Sequence, residues 1–154
     1  MKLKIYNSKE KKVFLKKLFK QFGFEPKKEY VYMESGKQKL YVVNADIAKV
    51  NLDDYRIDSI GLYIGKYQLD GFRPSIEGSQ IIGPLAKKNV VEITLEQRHE
   101  WLKGQDINVE GPNEIVIVKQ GEDYLGAGKI VNGKLLTGIP KSRRLNVVNE
   151  ELDF

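Results

Sequence analysis

The chain has 154 residues, 41% of them hydrophobic and 31% charged, enough apolar content to bury a core and too much for a disordered segment. It holds no cysteine and one histidine, His99, which excludes disulfides, thiolate metal sites and cysteine nucleophiles and gives no basis for a zinc cluster. Net charge is +5, which favours a polyanionic partner, and no apolar run approaches the roughly 20 residues that cross a bilayer.

The charge is unevenly spread. Residues 1–70 carry 15 Lys+Arg against 9 Asp+Glu, a net +6, whereas residues 71–154 carry 11 against 12, a net −1. Met1 to Tyr6 alternates Lys with Leu and Ile, unlike a secretory leader, and a cytoplasmic location is expected. Next, Phe14, Leu15, Leu18, Phe19 and Phe22 recur at helical spacing among lysines 9, 11, 12, 16, 17 and 20, which predicts an amphipathic helix over residues 9–22. Ser8 is the expected N-cap, Glu10 suits the positive end of the helix dipole, and Gly23 fits a left-handed stop. A solvated lysine face is the default reading of those charges, with phosphate contact as the alternative.

Beyond Gly23 the period shortens. Glu29 to Glu34 and Lys39 to Val43, rich in Tyr and Val and separated by Ser35-Gly36, predict an antiparallel hairpin. Ala45 to Val50 predicts a short helix, and Ile57 to Gly65 a strand leading into a turn at Gln68-Leu69-Asp70-Gly71. An N-terminal α+β unit is expected over residues 1–70, packed directly on the second half of the chain because no flexible linker intervenes.

In the second half Ser75 caps a predicted brief helix reaching Ile81, Val90 to Thr94 reads as a strand, and Leu95 to Leu102 as a helix stopped by Gly104. Strands are then predicted at Ile107 to Val109, Glu114 to Lys119, Tyr124 to Val131 and Lys134 to Ile139. The last two are joined by Asn132-Gly133, a pair that tolerates positive φ at both positions of a type I′ turn. Short strands at this spacing favour a small barrel or sandwich over residues 71–154.

Three segments in this half carry a family resemblance: Gly78-Ser79-Gln80-Ile81-Ile82-Gly83-Pro84, Leu102 to Val109, and Leu125-Gly126-Ala127-Gly128-Lys129. They resemble, in order and spacing, successive landmarks of PUA domains. Gly61 to Gly65, Gly71 to Gly78 and Pro140-Lys141-Ser142-Arg143-Arg144 are similar to the PUA-like tail of Fmu/Sun-type rRNA cytosine methyltransferases and of small archaeal ribosome-biogenesis proteins. The likeness covers about residues 61–145. It implies an α+β protein in which a small N-terminal unit precedes a PUA-like β-barrel.

It also implies a binding surface. PUA domains lay RNA over the short helix after the first strand, the loop after that helix and the last strand, here Ser75 to Gly83, Pro84 to Lys88 and Ile139 to Arg144. Close approach at Gly78, a hydrogen bond from Ser79, and phosphate contacts from Lys87, Lys88, Lys141, Arg143 and Arg144 are the expected contributions. Ser75 belongs to the same surface, and Arg73 either joins it or pairs with Glu77, four residues on. Glycine also serves tight turns, and Gly78 fits that role equally.

Other apparent motifs point to structure. Gly126-Ala127-Gly128-Lys129 opens no helix and lacks a following Ser or Thr, so close strand packing is expected in place of a phosphate loop. His99 and Trp101 are expected to be packed, and Tyr63 and Tyr67 share one strand face where core packing is favoured over base stacking. No catalytic residue, cofactor or metal is expected: there is no dinucleotide loop, no HExxH, and no cysteine to attack C6 of a pyrimidine. The expected function is non-catalytic binding of structured rRNA or tRNA, in RNA modification or ribosome biogenesis. The alternative is a protein-interaction adaptor for a modification enzyme or assembly factor, docked through the N-terminal unit.

Overall fold

The computed structural model describes residues 3–48 and 61–137. After strand β1 (Lys4–Ile5), Asn7 starts helix α1 (Ser8–Phe22): its side chain accepts the Glu10 amide while Glu10 accepts the Asn7 amide, a reciprocal capping box. Asn7, not Ser8, is therefore the cap, because its carboxamide reaches the third helical amide. The stop is at Gly23, which adopts φ 66° and donates its amide to Phe19. Phe14, Leu18 and Phe22 stand four residues apart and bury one stripe of α1, while Phe19, on the flank of that stripe, stays half exposed.

That stripe lies on the first sheet, built from β1, β2 (Tyr30–Glu34), β3 (Lys39–Asn44), β4 (Leu62–Gln68) and β5 (Gly71–Pro74) in that order, every neighbour antiparallel. A one-turn helix α2 (Ala45–Ala48) follows β3. Phe14 meets Tyr6, Tyr32, Tyr67 and Phe72 edge-on, with ring centroids 5.4–6.2 Å apart. Such pairs contribute about 0.5–1.5 kcal/mol each beyond the area they bury.

The strand expected over residues 57–65 runs from Leu62 to Gln68, and its first part lies outside the described residues. The turn falls at Gln68-Leu69-Asp70-Gly71 as expected, with Gly71 pairing with Gln68 and opening β5. The boundary expected after residue 70 thus falls in the β4–β5 hairpin, and β5 belongs by pairing to the first sheet.

Helix α3 (Ile76–Ile82) and a 3₁₀ turn (Gly83–Leu85) lead to the second sheet, with strands β6 (Val90–Glu92), β7 (Ile107–Asn108), β8 (Ile115–Gln120), β9 (Asp123–Val131) and β10 (Lys134–Leu136). Their order is β6-β8-β9-β10-β7, with β6 parallel to β8. The fold is α+β, with two open five-stranded sheets and no closed barrel among the described residues. Asn132 and Gly133 take φ of 50° and 80°, as the tight β9–β10 turn requires. Helix α4 (Leu95–Leu102), capped by Thr94, buries Trp101 among Ile93, Ile107, Val116, Val118, Leu125, Ile130 and Leu135. His99 is exposed on α4 instead of packed, since Trp101 two residues on takes the inward direction. Among the described residues no helix is long and apolar enough to cross a membrane.

The two sheets share a core. Phe14, Leu18 and Phe22 of α1, Ile64 of β4 and Phe72 of β5 form one cluster with Ile82 of α3, Ile115 and Ile117 of β8, and Ala127 of β9. Close approach of α3 to β4 depends on Gly78, where a Cβ would stand 1.9 Å from the Ile64 carbonyl oxygen. Gly78→Ala must push α3 off β4 and is expected to cost about 1–3 kcal/mol, seen as a lowered melting temperature in thermal unfolding. Gly36→Ala, where a Cβ meets nothing within 4 Å, is the matched control and leaves the melting temperature nearly unchanged.

Candidate functional site

The small residues proposed from the sequence resolve into packing. Ser75 caps α3: its hydroxyl donates to the Tyr63 carbonyl (2.8 Å) and accepts the Gly78 amide (2.9 Å). Ser79 is fully buried and donates its hydroxyl to the Ser75 carbonyl at 2.8 Å. Gly78 faces the β4 backbone. Gly78 and Ser79 are thus buried where α3 docks on β4, while Ser75 is half-buried at the helix cap.

The cations are placed differently. Lys87 and Lys88 are exposed on the segment after the 3₁₀ turn, held by their own amides, which donate to the Phe22 carbonyl at 2.8 and 3.2 Å. Asn89, in the left-handed region at φ 58°, donates its side-chain amide to the Gln21 carbonyl (2.6 Å) and accepts the Ile117 amide (2.8 Å). The C-terminal carbonyls of α1 are thereby capped by the segment that feeds β6, and Ile117 of β8 is tied to the same residue. Gln21 adds a two-way bond to β5, accepting the Phe72 amide at 3.0 Å and donating to the Phe72 carbonyl at 2.8 Å.

Arg73 is half-buried on β5 and faces Lys66 across the β4–β5 register. Burial pulls its pKa down, and the nearby Asp70 carboxylate partly offsets that. Asp70 itself is hydrogen-bonded to Lys129 at 2.7 Å, which holds its pKa below the usual carboxylate range. Lys141, Arg143 and Arg144 lie outside the described residues.

Lys88 shares a groove with Lys17 and Lys20 of α1 and Tyr67 at the end of β4, for which the sequence favoured a solvated face and core packing over phosphate contact and base stacking, and with Leu69 in the hairpin turn. Their signal was present in the helical spacing of the lysines, but which stripe faces a second element is a tertiary fact. Gly126-Ala127-Gly128-Lys129 lies within β9, where a Cβ on Gly128 would come within 2.6 Å of the Leu136 carbonyl oxygen, so these are strand glycines.

This fold carries a recognisable domain. Residues 88–145 match the family model described as the Methyltransferase RsmF PUA domain, a range that takes in β6 to β10 and α4. The chain thus contains a PUA domain resembling the C-terminal region of Fmu/Sun-type methyltransferases. It is similar to ribosomal RNA small subunit methyltransferase F of Vibrio parahaemolyticus, 24% identical over 104 residues that make up 62% of this chain and 22% of that protein. The same enzyme of Vibrio atlanticus is 25% identical over 92 residues, covering 58% and 20% of the two chains. That of Vibrio vulnificus is 28% identical over 92 residues, covering 58% and 19%. The match therefore spans about a fifth of those relatives' length. Lys88, Lys141, Arg143 and Arg144 fall inside the family range, whereas Arg73, Ser75, Gly78, Ser79 and Lys87 precede it.

Two outcomes check this geometry. Gln21→Ala leaves the Phe72 amide and carbonyl without their partner and is expected to cost about 1–3 kcal/mol in chemical denaturation. Burial, helped by the Glu34 carboxylate, pushes the Tyr67 hydroxyl above its ordinary pKa of 10.0. A raised pKa means the neutral phenol is the form the fold favours. Its contribution is therefore intact below pH 10 and lost as pH rises through the folded value, so stability falls on the alkaline side. Ultraviolet difference titration should show Tyr67 among the late-ionising phenols, with that component missing in Tyr67→Phe.

Proposed function

We propose that this chain is a non-catalytic RNA-binding protein that acts in rRNA or tRNA modification or in ribosome biogenesis, in the cytoplasm. The observation that carries this reading is the extent of the family match. It takes in the whole second sheet and ends on Lys141, Arg143 and Arg144, three cations within four residues. In this reading the sheet β6-β8-β9-β10-β7 is the described part of a PUA-like barrel, preceded by an N-terminal α+β unit.

Phosphate contacts dominate affinity for RNA, and lysine and arginine supply them with little demand on sequence. Lys87, Lys88, Lys141, Arg143 and Arg144 are the residues assigned to that task, with Arg73 at its margin. The methyltransferase relatives act on ribosomal RNA by name, and the region shared with them is the PUA domain. The absence of cysteine supports binding without C5 methylation of cytosine, which requires a thiolate attack on C6 of the ring. A modification enzyme or assembly factor would then supply the chemistry.

The test is a titration of labelled rRNA fragments and tRNA against wild type and the triple variant Lys141→Glu/Arg143→Glu/Arg144→Glu at two salt concentrations. Wild type should bind with salt-dependent affinity. The triple variant should bind at least about tenfold more weakly, its salt slope shallower by about 0.7–0.9 for each phosphate contact removed. A wild-type protein that ignores structured RNA at low salt overturns the reading.

A further inference from the structure

We propose a second RNA contact, built mainly on residues that precede the family-matched region: the basic trough between α1 and the β4–β5 hairpin takes a single-stranded RNA segment. The proposal rests on RNA being the ligand, and apart from Lys88 it uses residues other than those assigned to the first contact.

The trough is continuous. One groove runs between the N-terminal half of α1 and β4, and another between its C-terminal half and β5. Lys17, Tyr67 and Leu69 line both. Along α1, Lys9, Val13, Lys17 and Lys20 follow one another at four, four and three residues, so a single stripe of the helix forms one wall. Lys66 of β4 and Lys88 of the capping segment extend the charge to either side.

Acids are present in the trough, and three of the four are already engaged. Glu10 pairs with Lys4 and accepts the Asn7 amide, Glu34 accepts the Tyr6 hydroxyl, and Asp70 pairs with Lys129. Glu114 lies at the far rim. Among the described residues, Lys17, Lys20, Lys66 and Lys88 make no ion pair with a carboxylate. What remains is a row of lysines without a direct carboxylate partner, set against Glu34 and Glu114, a net positive surface of the kind that attracts a polyanion.

The floor suits bases. The Lys17 ammonium sits 5.0 Å from the centre of the Tyr67 ring, and that ring is held edge-on by Phe14 and Phe72 at 5.8 and 5.5 Å. Leu69, at the hairpin tip, is fully exposed (111%), an apolar side chain set among lysines. A fixed aromatic ring, an apolar projection and flanking cations are the parts from which single strands are gripped without sequence preference: phosphates on the lysines, bases on the apolar surface. A duplex would offer its bases only to its own partner strand, so a single strand fits this floor better.

The experiment uses the full chain, fluorescent oligouridine, and thiouridine-substituted oligouridine for photo-crosslinking. Lys17→Glu/Lys20→Glu changes two exposed side chains, and circular dichroism and melting temperature verify its fold. The expected result is that this variant binds oligouridine about tenfold or more weakly at the same salt, while Lys141→Glu/Arg143→Glu/Arg144→Glu binds it nearly as wild type does, with crosslinks at Tyr67 or Leu69. Equal binding of oligouridine by wild type and Lys17→Glu/Lys20→Glu, or crosslinks elsewhere, overturns the trough. If wild type ignores oligouridine but binds structured RNA through the terminal cations, the trough falls and the proposed function stands. Failure to bind any RNA removes both. A protein retained through Lys17 and Lys20 without RNA, with oligouridine ignored, overturns the proposal in favour of protein docking.

Discussion

The end of α1 is the joint on which the two sheets depend. A helix that stops at Phe22 leaves its last carbonyls without intrahelical donors, and burying one unpaired would cost about 1–3 kcal/mol. Here the Phe22 and Gln21 carbonyls receive donors from Lys87, Lys88 and Asn89, while Asn89 also binds Ile117 in the middle of β8. Gln21 reaches β5 in the other direction. A single helical terminus therefore fixes the hairpin of the first sheet, the entry to β6 and a central strand of the second sheet. Gly23 is required twice over, by its positive φ and because a Cβ would stand 2.9 Å from that of Lys87.

Much of this was legible in the sequence where one local rule dominated. The α1 stripe and its Gly23 stop, the Tyr/Val hairpin, the Ser75 cap, Trp101 as core and the Asn132-Gly133 turn follow from periodicity or from φ preference. What was not legible lay where local signals were short or ambiguous. β1 is two residues long, and β5 contains a glycine and a proline, so neither looks like a strand until it pairs. Asn7 and Ser8 are both good caps, and only the reach to Glu10 decides between them.

The same ambiguity governed the site. Serine and glycine near a helix start serve a ligand or the helix itself, and composition does not separate these uses. The decisive quantity is the distance between α3 and β4, which leaves no room for a Cβ at Gly78 and buries Ser79 completely. Charges behave differently, because a lysine on a surface stays on the surface. Lys87 and Lys88 were legible as exposed cations, but their neighbours on α1 were not, since that adjacency comes from hydrogen bonds spanning more than sixty residues of chain.

That adjacency also explains why a modest net charge can produce a concentrated one. Of the lysines on α1, Lys11 is drawn to Glu29 and lies over Tyr32, on the side facing β2. Lys9, Lys17 and Lys20 turn the other way, toward the hairpin, where Glu10, Glu34 and Asp70 are each held by another partner. Surface ion pairs of this kind add little to stability, commonly less than about 1 kcal/mol each. Their effect here is on the field: Glu10 and Asp70 are matched by Lys4 and Lys129, whereas Glu34, held by the neutral Tyr6 hydroxyl, keeps its charge. Lys17 and Lys20 of the α1 stripe are left without a direct carboxylate partner among the described residues. The fold thus sorts the charges of the N-terminal half into an inert side and a receptive one, and the segment that caps α1 adds Lys88 to the receptive side.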